Sequence, residues 1–117
     1  MNKQDKKFEK ELIKALTHCC EQFKPEVDGF EWLTHTLNFS NIQQSIRIIC
    51  VFESNIQLSN AIDKDDLTRM SNALVDCLKQ LGITIKKPTQ HIIFDSEENC
   101  DASHQGNWQQ RLSEQYS

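Results

Sequence analysis

Residues 45–52, which read SIRIICVF, constrain the fold more than any other stretch of the chain. Apolar side chains alternate onto both sides of this run, with Ile49 and Val51 opposite Ile46, Ile48 and Cys50. A strand that is apolar on both sides is buried on both sides. The run therefore predicts the central strand of a sheet, which the rest of the chain must cover.

Two other stretches have the period of amphipathic helices. The first covers residues 4–23, with the apolar stripe Phe8, Leu12, Leu16, Cys19 and Phe23. The second is expected to begin with Asp63 as its N-cap and to end at Gly82, with the stripe Leu67, Met70, Leu74, Leu78 and Leu81. Stripes at spacings of three and four pack one helix face against a core. Both helices are therefore predicted to lie across the sheet.

Two further strands complete the predicted sheet. Residues 30–38 follow the Asp28-Gly29 turn signal, and residues 91–95 form a short apolar run. A short link joins the first of these to residues 45–52, which favours antiparallel pairing. With a short helix at residues 108–112, the order α-β-β-α-β-α predicts an α+β two-layer sandwich. An antiparallel sheet of about three strands is covered by two main helices, in a single domain over residues 1–117.

Composition indicates the cellular compartment and argues against one class of function. Residues 1–14 lack the apolar run of a signal peptide, and no stretch approaches a membrane span, so a cytoplasmic protein without membrane contact is expected. The five cysteines show no C-x-x-C spacing, which favours reduced, mostly buried thiols. A net charge of −4 argues against a dedicated duplex-DNA binder.

Three segments carry a resemblance to a known group. DGFEWLTHTLN, IRIICVFES and HIIFDSEENC followed by H-x-GNW-x-x-RL resemble small bacterial proteins that often bear the label "Fis family transcriptional regulator". The similarity covers about residues 6–112. It implies a bacterial protein associated with transcription, and it brings no established activity, cofactor or site residue.

The last quarter of the chain holds the densest group of chemically specific side chains. It suggests a protein-binding surface, with candidates Glu97, Glu98, Asn107, Trp108 and Arg111. Cys100 and His104 lie four residues apart, so both could reach one metal ion from a helical face, yet zinc needs two more ligands. The simpler interpretation is that the acidic residues form the solvent-exposed start of a helix and that Cys100 is buried beneath it. We expect no cofactor.

Three functions remain open at this point. The preferred hypothesis is a non-catalytic protein-binding module. The first alternative is a nucleic-acid-binding regulator, with candidates Lys6, Lys10, Arg47, Lys86 and Lys87, although residues 96–117 contain one Arg and no Lys for a recognition helix. The second is a metal- or thiol-dependent enzyme, for which no catalytic motif is present. Monomer and homodimer are equally compatible with a small sheet that has open edges.

Overall fold

The computed structural model describes residues 2–116, so the two terminal residues of the predicted domain lie outside the described part. It confirms the α+β class. In chain order the elements are α1 (Lys3–Glu26), β1 (Phe30–Thr36), a 3-10 turn (Phe39–Asn41), α2 (Ile42–Ser45), β2 (Arg47–Phe52), α3 (Asn55–Asp63), α4 (Asp66–Gln80), α5 (Pro88–His91), β3 (Ile92–Ser96), α6 (Glu97–His104) and α7 (Trp108–Gln115).

The sheet has the order β1-β2-β3, and β2 is central as predicted. β1 and β2 are antiparallel, with Leu33 opposite Cys50. β2 and β3 are parallel, with Cys50 opposite Phe94, so the prediction of an antiparallel sheet is wrong for this pair. The reason is the connection between them. The chain between β2 and β3 contains α3 and α4, and this crossover returns it to the end of the sheet from which β2 started.

The main core lies between one face of the sheet and the pair α1 and α4. Ile48, Cys50 and Phe52 of β2 have no exposed surface on this face. The predicted helix stripes meet them there, with Leu12, Leu16, Cys19 and Phe23 from α1 and Met70, Leu74 and Leu78 from α4. Burying a large apolar side chain contributes about 1.5–3 kcal/mol, so these two helices supply a large share of the apolar stabilisation.

The opposite face of the sheet is covered by the C-terminal helices. Ile49 and Val51 point to this side and are fully buried. Asp95 lies opposite Val51 in the register, and its carboxylate is bound by Arg111 of α7. The predicted C-terminal helix therefore forms a partial layer of its own, on the side of the sheet away from α1 and α4.

Two helix boundaries differ from the predictions. α1 runs through Pro25, in its last turn, to Glu26 instead of stopping near residue 23. The prediction that Asp63 caps the second long helix is wrong, because Asp63 is the last residue of α3. α4 follows a left-handed residue, Asp65, with φ of 61°. α3 escaped prediction because Ala61 is its one buried residue, so it carries hardly any apolar stripe.

Among the described residues, no helix combines the length and apolar character that a membrane crossing requires. α1, the longest helix, carries charged residues on its exposed faces and buries only one stripe. Its length instead lets it pack against both β1 and α4.

Candidate functional site

The C-terminal quarter of the chain folds around one buried carboxylate, that of Asp95 at the end of β3. Asp95 is 2% exposed and Arg111 of α7 is 7% exposed. The Arg111 guanidinium donates from Nε to Asp95 Oδ2 at 2.7 Å and from Nη2 to Oδ1 at 3.1 Å. Paired, charge-assisted hydrogen bonds of this kind are stronger than single ones, and they join α7 to the sheet.

Three further donors complete the shell around Asp95. The Tyr116 hydroxyl donates to Oδ2 at 2.7 Å, and the Ser96 amide and Asn99 Nδ2 donate to Oδ1 at 2.9 and 3.2 Å. Burial alone would raise the pKa of Asp95, but the hydrogen bonds from Arg111, Tyr116 and their neighbours outweigh it and hold that pKa below its usual value. The carboxylate is therefore ionised and fully partnered at neutral pH.

Glu97, at the start of α6, holds two tryptophans together. Trp32 Nε1 of β1 donates to Glu97 Oε1 at 2.6 Å, and Trp108 Nε1 of α7 donates to Oε2 at 3.1 Å. The two rings meet edge to face with centroids 5.0 Å apart. We call Trp32, Glu97 and Trp108 the indole clasp. It links β1 to α6 and α7, although Trp32 and Glu97 lie 65 residues apart in the sequence.

The remaining predicted partner-binding residues cap helices. Glu98 Oε1 accepts a hydrogen bond from the amide of Asn55, the first residue of α3, at 2.9 Å. Asn107 is the N-cap of α7, and its side chain accepts from the Gln110 amide at 3.1 Å. Glu97, Trp108 and Arg111 are engaged in the contacts described above. The proposed C-terminal surface remains a prediction, and Glu98 and Asn107 are its exposed members.

The possible metal ligands Cys100 and His104 both lie on α6, and Cys100 is fully buried. His104 Nδ1 lies 3.3 Å from Arg111 Nη1, which can only donate, so Nδ1 accepts and Nε2–H donates to Glu114 Oε2 at 2.8 Å. Both ring nitrogens are thus in use. Burial raises the pKa of Cys100, which disfavours the thiolate. Residues 2–116 contain no group of three or more Cys, His, Asp or Glu side chains arranged to hold a metal ion.

The nucleic-acid candidates lie on different elements. Lys6 and Lys10 are exposed on α1, whereas Arg47 is half-buried at the start of β2 and donates to the Ser45 carbonyl at 3.5 Å. Lys86 and Lys87 line a shallow pocket with Gln43, Gln44, Gln90 and His91. Lys86 and Lys87 therefore share a concave surface with other polar side chains.

A groove between α1 and β1 was not predicted from the sequence. Ile13, Leu16, Thr17 and Cys20 form its α1 wall, and Leu33, Thr34 and His35 form its β1 wall. Burial lowers the pKa of His35, which opposes the effect of the nearby Glu9 carboxylate, so this imidazole is neutral at pH 7. The one sequence signal was Ile13, an apolar residue that lies off the buried stripe and is 48% exposed.

The groove lies along an unpaired strand edge. β1 is the first strand in the sheet order and pairs with β2 alone within the described part of the chain. Its residues from Glu31 to Thr36 are all partly exposed. An edge of this kind offers free main-chain donors and acceptors. Strand edge and groove together form the candidate binding site of the molecule.

No protein-family model, curated protein or solved structure matches the chain. The function proposed below rests on the contacts, burial and charges of residues 2–116.

Proposed function

We propose that the protein is a non-catalytic, cytoplasmic protein-binding module that takes up an extended segment of another protein along the free edge of β1. The observation that carries this proposal is the apolar groove beside an unpaired strand. An added strand gains affinity from main-chain hydrogen bonds to the edge, and pockets next to the edge select its side chains.

The chemistry of the groove defines the kind of segment that fits. Its base is apolar, with Leu16, Cys20 and Leu33, and Glu21 and Lys24 stand at one end. Successive side chains of an extended segment point to opposite sides, so every second residue would enter the groove. We therefore expect the partner segment to carry small or medium apolar residues at alternate positions and a charged residue at one end.

The indole clasp supports this proposal from the other side of the sheet. It holds Trp32 of β1 through Glu97, so the edge strand is anchored before any partner arrives. A preformed edge loses less conformational entropy on binding than a mobile one. In this interpretation the C-terminal residues singled out in the sequence act indirectly, by keeping β1 in place.

Selection from a random peptide library provides the test. Selected peptides are measured by fluorescence anisotropy, and amide hydrogen exchange is followed with and without peptide. We expect slower exchange in residues 31–36 and little change in β3, because a paired strand protects the amides of its neighbour. Slower exchange confined to α6 and α7 would contradict the β1 edge and favour the predicted C-terminal surface.

Two matched isoleucine variants sharpen this experiment. Ile13→Asp places a carboxylate in the groove wall, whereas Ile62→Asp makes the same change at a similarly exposed residue of α3. Neither residue is buried, so both variants are expected to fold. Ile13→Asp should weaken peptide binding at least about tenfold, which corresponds to about 1.4 kcal/mol, and Ile62→Asp should leave it unchanged. Equal effects of both variants would exclude the groove.

Two further experiments test other binding partners. If light scattering finds a dimer that Ile13→Asp converts to monomer, the groove holds a second copy of this chain. If binding of a single-stranded oligonucleotide falls steeply with salt and depends on Lys86 and Lys87, the nucleic-acid hypothesis replaces the present one. The pocket that those two lysines line is the observation that supports that alternative.

A further inference from the structure

Another concave surface lies at the end of the sheet where β2 and β3 begin. It has a volume of about 470 Å³ and is formed by α2, by residues 83–87 and by α5. Its lining residues are Gln43, Gln44, Thr84, Lys86, Lys87, Gln90 and His91. We call it the lysine pocket. It shares no lining residue with the groove beside β1, so the two sites can be tested separately.

Buried neighbours and a hydrogen bond hold one wall of the lysine pocket in place. Ile83 and Ile85 are buried, and the alternate residues Thr84 and Lys86 are exposed. The Thr84 amide donates to Gln43 Oε1 at 3.4 Å, which joins this stretch to α2. The wall is therefore anchored in the core before any ligand arrives.

A main-chain contact fixes the tautomer of His91. Its Nδ1 lies 2.7 Å from the carbonyl oxygen of Ile46, which can only accept, so Nδ1 carries the proton. No hydrogen bond within residues 2–116 engages Nε2 of this ring. The half-buried imidazole, which lines the pocket, therefore keeps one nitrogen for a ligand.

The other side chains of the pocket offer mainly donors. The oxygens of Gln43 and Gln44 already accept hydrogen bonds, the second from Asn41 Nδ2 at 2.9 Å, so the Nε2 groups of both are left to donate. Lys86 and Lys87 add two ammonium groups, which can only donate. No carboxylate is among the described residues that line the pocket. In a chain with a net charge of −4, this local arrangement suits an anion that is rich in acceptor atoms.

We propose that the lysine pocket binds a sugar phosphate, with the phosphate held by Lys86 and Lys87 and the sugar hydroxyls by the glutamine and threonine side chains. Charge-assisted hydrogen bonds from the two ammonium groups to phosphate oxygens supply the main attraction. Hydroxyl groups donate and accept, as do the amide and hydroxyl groups of the pocket. The volume of about 470 Å³ lies within the range of small-molecule sites, which is about 300–1,000 Å³.

The lining of the pocket favours a sugar phosphate over a nucleotide or a nucleic-acid strand. Proteins that bind single strands combine aromatic rings, on which bases stack, with a basic groove that follows the backbone. The described lining residues include no Phe, Tyr or Trp ring. Two lysines in one small pocket match a single phosphate group better than a run of phosphates.

The test titrates the full-length protein with glucose 6-phosphate and with ribose 5-phosphate, and follows amide chemical shifts by NMR. We expect saturable shifts at Thr84, Lys86, Lys87 and His91, and weaker binding of glucose and of inorganic phosphate, since each carries only part of the ligand. No saturable shift with either sugar phosphate would overturn the proposal. Inorganic phosphate that binds equally well would do the same, as would tighter binding of AMP or of a single-stranded oligonucleotide.

Matched lysine variants separate the pocket from the overall charge. Lys86→Ala/Lys87→Ala removes both pocket cations, whereas Lys6→Ala/Lys10→Ala removes two lysines of α1 and changes the net charge equally. All four side chains are exposed, so both variants are expected to fold. The first should weaken sugar phosphate binding at least about tenfold, and the second should leave it unchanged. Equal effects of the two variants would overturn the pocket as the site.

A histidine variant tests the part of His91 without removing its contact to the main chain. In His91→Asn the side-chain amide can still donate to the Ile46 carbonyl, as Nδ1 does, but nothing replaces Nε2. We expect an unchanged melting temperature and sugar phosphate binding that is weaker by about threefold or more. Unchanged binding would remove His91 from the proposed site.

Discussion

Arg111 binds the carboxylate of Asp95 through two hydrogen bonds, at 2.7 and 3.1 Å, and more than nine-tenths of each side chain is buried. Removing one partner of such a pair leaves the other charge in a place without water. Arg111 is the one buried residue of α7, so this contact is a main link between the helix and the sheet.

We therefore expect Arg111→Ala to lower the free energy of unfolding by about 3–5 kcal/mol. The double variant Asp95→Leu/Arg111→Met, which removes both charges and keeps the volume, should be more stable than Arg111→Ala alone. Urea unfolding followed by tryptophan fluorescence measures all three proteins. A double variant that is no more stable than Arg111→Ala would show that the two residues do not act as a pair.

The dependence of stability on acid tests the ionisation of Asp95. Its pKa lies below the usual value in the folded state, so its contribution is complete above the unfolded pKa of about 3.9 and is lost as the pH falls through the folded pKa. We expect the stability difference between the wild type and Asp95→Asn to shrink below about pH 4. Urea midpoints at several pH values give this difference. A constant difference down to pH 2 would contradict the assignment.

Tyr116 is the only tyrosine of the chain, so its titration can be read directly from absorbance near 295 nm. Burial and the hydrogen bond to the Asp95 carboxylate raise its pKa to about 12. The neutral hydroxyl is favoured in the folded state, so this contribution is present below about pH 10 and is lost between about pH 10 and 12.

We accordingly expect the wild type to titrate near pH 12 and the urea-unfolded chain near pH 10. Asp95→Asn, which removes the carboxylate charge, should fall between the two. Circular dichroism at each pH serves as the control, because only a folded sample reports the environment of Tyr116. A folded wild type that titrates near 10 would show that this hydroxyl does not contact Asp95.

The indole clasp gives a fourth prediction. Glu97→Gln removes the negative charge to which Trp32 and Trp108 donate, and it leaves a side-chain amide that accepts through one oxygen. We expect a loss of about 1–3 kcal/mol and a shift in tryptophan emission. Glu98→Gln, the neighbouring change on the exposed side of α6, is the matched control and should have a smaller effect. Equal losses would argue against a special role for Glu97.

The parts of the fold that were predictable are those marked by short periodic patterns. The alternation of β2 identified the central strand, and the stripe of α4 identified its buried face, since local spacing sets which side chains share a side. The parallel pairing of β3 was missed because pairing direction depends on the path of the connection. α3 was missed because it buries little apolar surface and therefore shows no clear apolar stripe.

The contacts of the candidate site were harder to predict from the sequence than the elements of the fold. The last quarter of the chain was noticed because it holds many chemically specific side chains in few positions. Its contacts, however, join residues as distant as Trp32 and Glu97, which no local periodicity indicates. The only signals for the ion pair were an aspartate that ends an apolar strand and the single arginine of the tail. The groove beside β1 arises from the relative position of two elements, and Ile13 alone hinted at it.

The position of α7 after β3 in the chain sets an order of events during synthesis. A chain still attached to the ribosome completes β3 with Asp95 before Arg111 has emerged. Until then the layer that buries Asp95 is not in place, and its carboxylate is hydrated. Closure of this half of the molecule must therefore wait for α7, and a variant that weakens α7 should lengthen the time that Ile49 and Val51 are open to chaperones.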